Sequence, residues 1–264
     1  MKLISFDAMR TFGIAGAVYV KPEKAHCHMS EIQQADWLLF PPHWQVNAFF
    51  YGLKKIVFPS ISTYHLGHDK VEMTRAVQLL WPRHIPETYI IANSAQARVW
   101  VLDHFEFPFV AKAIKESMGK GVWLIQDNQD WQRYTADRDV LYVQEYLPID
   151  RDLRLVVIGN KVIAGYWRCS APGAFHTNVS RGGRVDPLNI PQSAVALVEE
   201  MAQQLGIDHA GFDMAQVDDR IYLFEFNRLF GTVGLHNMGI SAGALISDYL
   251  SSKDVPAAVP PRKY

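Results

Sequence analysis

The stretch that most constrains the fold is residues 211–227, GFDMAQVDDRIYLFEFN, where two runs of alternating apolar and polar residues flank an acidic pair. This pattern predicts two antiparallel strands joined at Asp218 and Asp219. Strict alternation in the second run gives two faces: Tyr222, Phe224 and Phe226 on one, and Leu223, Glu225 and Asn227 on the other. The stretch therefore predicts a hairpin with a partly acidic face.

The acidic face could bind a metal ion. Glu225 and Asn227 would point the same way, roughly 6 to 7 Å apart along the strand. If the loop has an odd number of residues, such as residues 218–220, Asp213 lies opposite Glu225 on that face. Two carboxylates and an amide oxygen are hard ligands that suit Mg²⁺, which keeps other positions for water and nucleotide phosphates. An ordinary hairpin with solvated acids is the alternative at this stage.

Composition excludes some classes of function. The chain has 264 residues, with 26 basic and 27 acidic side chains and a net charge of -1, so nucleic-acid binding is not indicated. No apolar run approaches the roughly 18 residues that span a bilayer, so no membrane segment is expected. Cys27 and Cys169 form no metal-type or redox pair in sequence, and a reducing cytoplasm fits best.

Residues 1–68 contain the short apolar runs KLISF, GAVYV, DWLLF and KIVFPS. They predict a small α/β unit with a short parallel sheet. The next segment, DKVEMTRAVQLLW, has helical spacing, with Asp69 as N-cap and Pro82 after its end. Lys70 falls in the first turn, where a cation is unfavourable unless an anion is near. Two interpretations of Lys70 remain open: it binds a phosphate, or it is a solvated surface lysine.

Residues 107–127 predict two strands joined by a loop that contains glycine and lysine. The first strand places Lys112 in an otherwise apolar register. The loop carries four residues of interest: Ser117, Gly119, Lys120 and Gly121. Glycines let backbone amides approach an anion and lysine supplies charge. Strands flank this loop on both sides and no Ser or Thr follows its Gly-Lys pair, so it is not a Walker loop. A plain flexible hairpin is the alternative.

A strand that breaks at residues 144–147, QEYL, leaves backbone groups that could pair with an adenine edge. Asp152 follows, where its carboxylate could accept a hydrogen bond from a ribose hydroxyl. Arg154 and Arg168 lie on a predicted antiparallel hairpin with its turn at residues 159–160. Their guanidinium groups suit bidentate contacts with carboxylate or phosphate, and surface ion pairs are the alternative.

The motifs follow one another in a characteristic order over residues 69–250: the VAK strand, SMGKGV, QEYL, D-x-R, W-R, FHTNVSRGG, GFD and EFN. This ordered set resembles the ATP-grasp proteins, specifically the RimK-type carboxylate-amine ligases. The resemblance implies an α/β ATP-grasp fold, in which two α/β subdomains clasp ATP after a small pre-ATP-grasp unit. The expected domains are residues 1–68, a central lid subdomain 69–147, a C-terminal core subdomain 148–253 and a flexible tail 254–264.

The resemblance also implies the residues of the site. The nucleotide contacts would come from Lys70, Lys112, Ser117, Gly119, Lys120, Gly121, Gln144, Glu145, Tyr146, Leu147 and Asp152. Two Mg²⁺ ions, replaceable by Mn²⁺, would be held by Asp213, Glu225 and Asn227. The catalytic set would be Arg154, Arg168, Asn178 and Arg181. His176 stands where the family often has an arginine, which puts one anion contact in doubt.

The implied reaction activates a carboxylate with ATP and joins it to an amine. Attack on the γ-phosphoryl group gives an acyl phosphate, and the amine then displaces phosphate. The partners would be ATP, a carboxylate substrate and an amine substrate, which could be an amino acid, a peptide or a protein terminus. A homo-oligomer is allowed. Two other functions stay open: a phosphotransferase that stops after phosphorylation, and a nucleotide-binding module that has no catalytic activity.

Overall fold

The computed structural model describes residues 1–114, 121–169 and 184–253. Its first sheet consists of β1 (Leu3–Ser5), β2 (Ala17–Tyr19), β3 (Trp37–Leu39) and β4 (Ile56–Phe58) in the order β2-β1-β3-β4. All three pairings are parallel, which confirms the predicted short parallel sheet. The helices of this unit are a 3-10 helix at Pro22–His28, α1 (Met29–Gln34), α2 (His43–Asn47), a π-helical turn at Ala48–Gly52, and α3 (Ile61–Leu66).

Both faces of the first sheet are covered, which explains why its strands are continuous apolar runs. On one face, Ile4 and Leu38 pack against Ile32 of α1 and Tyr64 of α3. On the other face, the sheet packs against residues from the end of the chain, including Ile246. The first unit is therefore packed directly onto the C-terminal part of the protein.

The second sheet has the order β5-β8-β6-β7 and is antiparallel in all its pairings. In chain order the elements are α4 (Lys70–Leu80), a 3-10 helix at Pro82–His84, β5 (Thr88–Ala92), α5 (Ala95–His104), β6 (Phe109–Lys112), β7 (Val122–Ile125), α6 (Asn128–Thr135) and β8 (Val140–Glu145). Asp69 caps α4 by accepting from the backbone N–H groups of Val71 and Glu72, as predicted.

The third sheet has the order β11-β10-β9-β12-β13 and all its pairings are antiparallel. The remaining elements are β9 (Arg151–Ile158), β10 (Lys161–Cys169), β11 (Arg184–Asp186), α7 (Gln192–Leu205), β12 (His209–Val217), β13 (Arg220–Asn227), α8 (Val233–Asn237) and α9 (Ala242–Ser251). One face of this sheet forms a core with α7 and α4, to which Phe212, Met201 and Val77 contribute. The other face carries the polar residues of the candidate site.

The hairpin of β12 and β13 has a two-residue turn and a β-bulge. Val217 pairs with Arg220 across the turn at Asp218 and Asp219, and the register shifts between Asp213 and Met214. Because Phe224 is the extra residue, Asp213 comes to lie opposite Glu225. The predicted pairing is therefore confirmed, but the predicted odd loop is wrong, since the bulge produces the shift.

The bulge also corrects the predicted faces of β13. Phe226 packs with Leu223 in the core shared with α7, instead of with Tyr222 and Phe224. Tyr222 and Phe224 lie together on the opposite side, beside Leu147. Strict alternation fails because two consecutive residues of a bulged strand face a single partner.

The hairpin of β9 and β10 contains a second bulge. Lys161 pairs with Ile158 across the turn, and the register then shifts between Val162 and Ala164. This shift places Arg168 opposite Asp152. Two bulges thus set the register of the residues that face the candidate site.

In the described part of the chain, none of the helices combines the length and the apolar character needed to cross a bilayer.

Candidate active site

The three predicted metal ligands lie together at the open face of the third sheet. Asp213 and Glu225 are cross-strand partners. The side-chain amide of Asn227 donates a hydrogen bond of 2.9 Å to Oε1 of Glu225. The structure therefore brings two carboxylates and one amide side chain into a single group.

Two lysines from different elements meet at Glu225. Nζ of Lys70, in the first turn of α4, lies 3.3 Å from Oε2 of Glu225. Lys112, at the end of β6, is only 6% exposed, and its Nζ lies 5.6 Å from the centre of the Phe224 ring. Helix α4 and the second sheet therefore each contribute a cation beside a carboxylate of the third sheet.

Burial and charge shift the pKa values of this group. Burial lowers the pKa of Lys112 to about 8, against the opposing attraction of Glu225. Burial alone would raise the pKa of Glu225, but the charges of Lys70 and Lys112 outweigh it and the pKa is lowered. Glu225 is therefore an anion at neutral pH, and Lys112 can lose its proton in mildly alkaline solution.

Arginines form a second layer beside these residues. Arg154 makes a bidentate contact with Asp213, in which Nη2 lies 2.9 Å from Oδ2 and Nε donates to Oδ1. Arg168 makes a similar bidentate contact with Asp152, and its Nη2 also lies 2.8 Å from Oδ1 of Asp213. Burial opposes the charge of Arg168, but Asp213 and Asp152 raise its pKa above the ordinary value. The alternative of surface ion pairs is wrong for both arginines, since both are buried.

The donor atoms fit magnesium in kind. Among the described residues, no set of three or more His, Cys, Asp and Glu side chains forms a metal site. The predicted set consists instead of two carboxylates and an amide, the hard oxygen donors that Mg²⁺ takes together with water and phosphate. Four cationic side chains face three carboxylates: Lys70, Lys112, Arg154 and Arg168 against Asp152, Asp213 and Glu225. This excess of positive charge suits a polyanion such as a triphosphate.

The residues predicted to contact adenine and ribose lie in different surroundings. Gln144 is buried, and its side-chain amide donates to the hydroxyl of Thr88, so it stabilises the second sheet. The strand continues through Glu145, whose backbone N–H donates to Glu87. Tyr146 and Leu147 follow the end of β8, and Leu147 packs against Tyr222.

Asp152 is engaged by an arginine, as Asp213 is. Both of its carboxylate oxygens accept from Arg168, and the residue is 5% exposed. The structure therefore places Asp152 in the arginine-carboxylate network, and its contact with a ribose hydroxyl stays a prediction.

Several predicted residues lie outside the described ranges. They are Ser117, Gly119, Lys120, Asn178 and Arg181, together with His176. Gly121 is described, and its carbonyl accepts from the backbone N–H of Ala113 at the base of the β6-β7 loop.

A cleft of about 280 Å³ opens beside Glu225 and Asn227. Its lining includes Lys70 and two residues that sequence reasoning did not single out, His68 and Arg228. Arg228 directly follows Asn227 in the chain. A cation next to a candidate metal ligand is the sequence signal that could have identified it as a site residue.

Residues 69–250 match the family described as the RimK-like ATP-grasp domain. This match covers more than half of the chain. The protein belongs to the RimK-like ATP-grasp family. Family membership and the curated relatives make it an ATP-dependent carboxylate-amine ligase, which binds ATP, a carboxylate substrate and an amine substrate.

The relatives of this RimK-like protein share one kind of reaction in their names. It is 26% identical to a probable alpha-L-glutamate ligase of Chromohalobacter salexigens, over 90% of this chain and 83% of the relative. It is 27% identical to the coenzyme gamma-F420-2:alpha-L-glutamate ligase of Methanocaldococcus jannaschii, over 78% of this chain and 74% of the relative. N-acetylaspartylglutamate synthase A of Homo sapiens is 29% identical over 55% of this chain and 39% of the relative.

Solved structures confirm the α/β ATP-grasp fold of the RimK-like protein. A RimK domain ATP-grasp protein from Sphaerobacter thermophilus superimposes with a TM-score of 0.73, covering 94% of this chain and 99% of that one, at 17% identity. A D-alanine–D-alanine ligase from Bacillus anthracis gives a TM-score of 0.71 over 96% of this chain and 97% of that one, at 11% identity.

Proposed function

We propose that this ligase forms its amide bond through an acyl phosphate, at the site where Lys70 and Lys112 approach Glu225. One observation carries the proposal. The two lysines come from separate elements, and they converge on the carboxylate of Glu225. Glu225 lies opposite Asp213 across the two strands, and its carboxylate accepts a hydrogen bond from Asn227. Lysine charges beside hard oxygen donors match what a metal-bound triphosphate needs.

Each side chain in this proposal has a physical role. Asp213, Glu225 and Asn227 would hold two Mg²⁺ ions, for which Mn²⁺ could substitute. The metal ions would neutralise charge on the phosphate oxygens. Lys112 and Lys70 would orient the transferring phosphoryl group, and burial would strengthen the attraction of Lys112 for that group because water is excluded there.

Arg154 and Arg168 would handle the reacting carboxylate and the charge that develops on it. In the structure their guanidinium forks already bind carboxylates in bidentate geometry, those of Asp213 and Asp152. A fork that fits a side-chain carboxylate also fits a substrate carboxylate or a phosphoryl oxygen. When a cation neutralises Asp213, an arginine can turn to the substrate without leaving a buried charge unpaired.

We infer that the amine substrate is an acidic amino acid, and that glutamate is the first compound to test. The proposal is supported by the alpha-L-glutamate ligases among the relatives, which are named for that substrate. The free thiols Cys27 and Cys169 support a cytoplasmic location, where cysteines stay reduced.

The test is phosphate release from Mg-ATP with a panel of amino acids and short peptides, followed by mass measurement of the product. Glu225→Gln should lower turnover by at least about 100-fold, because it removes a charge that the metal ions and both lysines need. Its circular dichroism should match the wild type.

Glu106→Gln, on an exposed loop residue, is the matched control and should keep full activity. Normal turnover by Glu225→Gln would show that the assignment of the metal ligands is wrong. Release of ADP without free phosphate in the presence of an acceptor would point to a phosphotransferase instead.

A further inference from the structure

The cleft beside Glu225 is lined by an arginine that the proposed chemistry does not use. Arg228 lines the cleft together with His68, Lys70 and Asn227. Its guanidinium carbon lies 4.7 Å from the centre of the Tyr64 ring, which fixes the group against α3. Tyr64 is itself held by a hydrogen bond from its hydroxyl to the carbonyl of Pro41. The cation is therefore positioned before any ligand binds.

The charge of Arg228 is not balanced by a neighbouring acid. Within the described ranges, no Asp or Glu lies at ion-pair distance from it. Its Nε is buried and has no hydrogen-bond partner there. Three other buried side-chain atoms share this property, but they belong to neutral tryptophan and glutamine side chains. The charge of this guanidinium group is therefore available to an anion that enters the cleft.

Two histidines lie near Arg228. His68 lines the same cleft, and its ring stacks on that of His43 with 4.0 Å between the ring centres. Burial, and then the neighbouring His68 and Arg228, lower the pKa of His43, so this ring is disfavoured as a cation. An anion bound here would pair with the charge of Arg228 and accept a hydrogen bond from the ring of His68.

The backbone is built to keep Arg228 at this place. Gly67, at the end of α3, sits so close that an added Cβ would lie 3.1 Å from both the backbone nitrogen and Cβ of Arg228. The same Cβ would lie 2.7 Å from the carbonyl oxygen of Thr63, so the lack of a side chain at Gly67 permits close contacts both within α3 and with Arg228. Arg228 therefore lies at a tight contact between the first unit and the end of β13.

We propose that Arg228 and His68 form a subsite for a carboxylate group that does not react, carried by one of the two substrates of the ligase. The inference rests on the proposed function, since it places this anion next to the reacting centre. A substrate carboxylate is chosen over a nucleotide phosphate because Arg228 stacks on Tyr64 of the first unit, whereas the lysines proposed for the phosphates lie in α4 and β6. The substrate class is then an amino acid or peptide with at least one carboxylate beyond the group that reacts.

The kinetic test compares Arg228→Gln with the wild type on matched pairs of compounds. As the amine substrate, glutamate is compared with glutamine and with glutamate α-amide. As the carboxylate substrate, the N-acetylated forms of the same three compounds are compared. For one pair, the wild type should have a KM about 10- to 100-fold lower for the compound that keeps the recognised carboxylate. Arg228→Gln should abolish this preference and leave the KM for ATP within about twofold of the wild-type value. The pair of compounds that shows the preference tells which substrate carries the recognised carboxylate.

Two variants serve as controls. Arg138 also stacks on aromatic rings, those of Trp123 and Tyr134, but lies in the loop between α6 and β8, so Arg138→Gln should keep the wild-type preference. Arg228→Lys keeps the charge without the fork and should lose only part of the preference. A preference that survives in Arg228→Gln overturns the proposal. A rise in the KM for ATP without a change for the amino acids also overturns it and indicates a phosphate contact.

A binding test separates this inference from the proposed function. Glutarate is titrated into the protein without ATP, and the His68 ring signals are followed by NMR. Glutarate should shift them in the wild type and in Arg138→Gln, but not in Arg228→Gln. If glutarate shifts nothing in the wild type, the subsite is wrong even where ligase activity is found. If glutarate binds as expected but no compound stimulates phosphate release, the subsite stands and the proposed function fails.

Discussion

Lys112 carries its charge where water hardly reaches. The strand β6 is otherwise apolar, and the lysine is 6% exposed between the rings of Tyr142 and Phe224. A buried ammonium group is costly unless an anion is near, and Glu225 compensates only part of that cost. The sequence showed a lysine in an apolar register, which was enough to predict an anion-binding residue but not the depth of its burial.

Replacing Lys112 with methionine should stabilise the protein at neutral pH while it abolishes ligase activity. The pKa of Lys112 lies at about 8 in the folded protein against 10.5 ordinarily, which corresponds to about 3 kcal/mol. Below pH 8 both states hold the proton and the folded state bears the full cost. As the pH rises from 8 to 10.5 the folded state loses the proton first, so wild-type stability increases.

Urea denaturation at pH 7 and at pH 10.5 measures this difference. The variant should be more stable by about 3 kcal/mol at pH 7, and the gap should close by pH 10.5. Lys161→Met is the control, because the Lys161 side chain is 71% exposed, and it should change neither value. A gap that stays constant with pH would mean that Lys112 does not bear a buried charge.

At the level of elements, two bulged hairpins align the site. In the β9-β10 hairpin the bulge places Arg168 opposite Asp152, and in the β12-β13 hairpin it places Asp213 opposite Glu225. With strict register from the Gly159 turn, Arg168 would face Arg151 instead. Like-charged partners directly across a sheet are unfavourable, so the bulge converts a repulsive pair into an attractive one.

The sequence predicted the hairpins but not the bulges, and the reason is physical. Alternating apolar residues and turn residues are local signals, so strands and turns such as Gly159-Asn160 can be found from them. A bulge depends on how side chains pair between strands, and the apolar run Tyr222-Leu223-Phe224 does not show which residue is the extra one. The contact between Asp152 and Arg168 was not predicted for the same reason, because the two residues lie sixteen positions apart along the chain and are brought together by the register of the strands.

Deleting Phe224 tests the bulge of β13. Without the extra residue the hairpin becomes regular, and Leu223 and Phe226 can still both face the core, so the deletion variant should fold. Glu225 would still pair with Asp213, but loss of the bend that the bulge introduces would move its carboxylate relative to Lys70 and Lys112, so ligase activity should fall at least about 100-fold. Circular dichroism and phosphate release measure the two effects. Phe224→Ala keeps the bulge and should lose less activity; equal losses in both variants would mean that the ring matters and not the bulge.

At the scale of the whole molecule, the first and third sheets are joined around two adjacent buried residues, Asp208 and His209. Asp208 accepts from the backbone N–H of Ser60 at 2.7 Å, which ties the start of β12 to the N-cap of α3. His209 packs edge-on against Phe40 and Phe58 of the first unit. The order of the motifs predicted an α/β ATP-grasp fold, but this joint combines residues far apart in sequence and no local pattern marks it.

The joint should make the protein sensitive to acid through His209. Burial lowers the pKa of His209 to about 3, from an ordinary value of 6.5. Between these values His209 is protonated in the unfolded chain but neutral in the folded protein, so stability is lost as the pH falls from 6.5 towards 3. The contribution of this one group is about 1.4 kcal/mol per pH unit within that window.

His209→Phe keeps a ring among the phenylalanines but cannot be protonated. It should be slightly less stable than the wild type at pH 7, because the hydrogen bond between Nδ1 of His209 and the carbonyl of Arg228 is lost. Towards pH 4 the wild type should lose its advantage and become the less stable protein. Urea midpoints at pH 7, 6, 5 and 4 measure the crossing, and Asp208 titrates in both proteins, so its contribution largely cancels. The exposed His26→Gln variant should follow the wild type; parallel curves for wild type and His209→Phe would show that acid acts elsewhere.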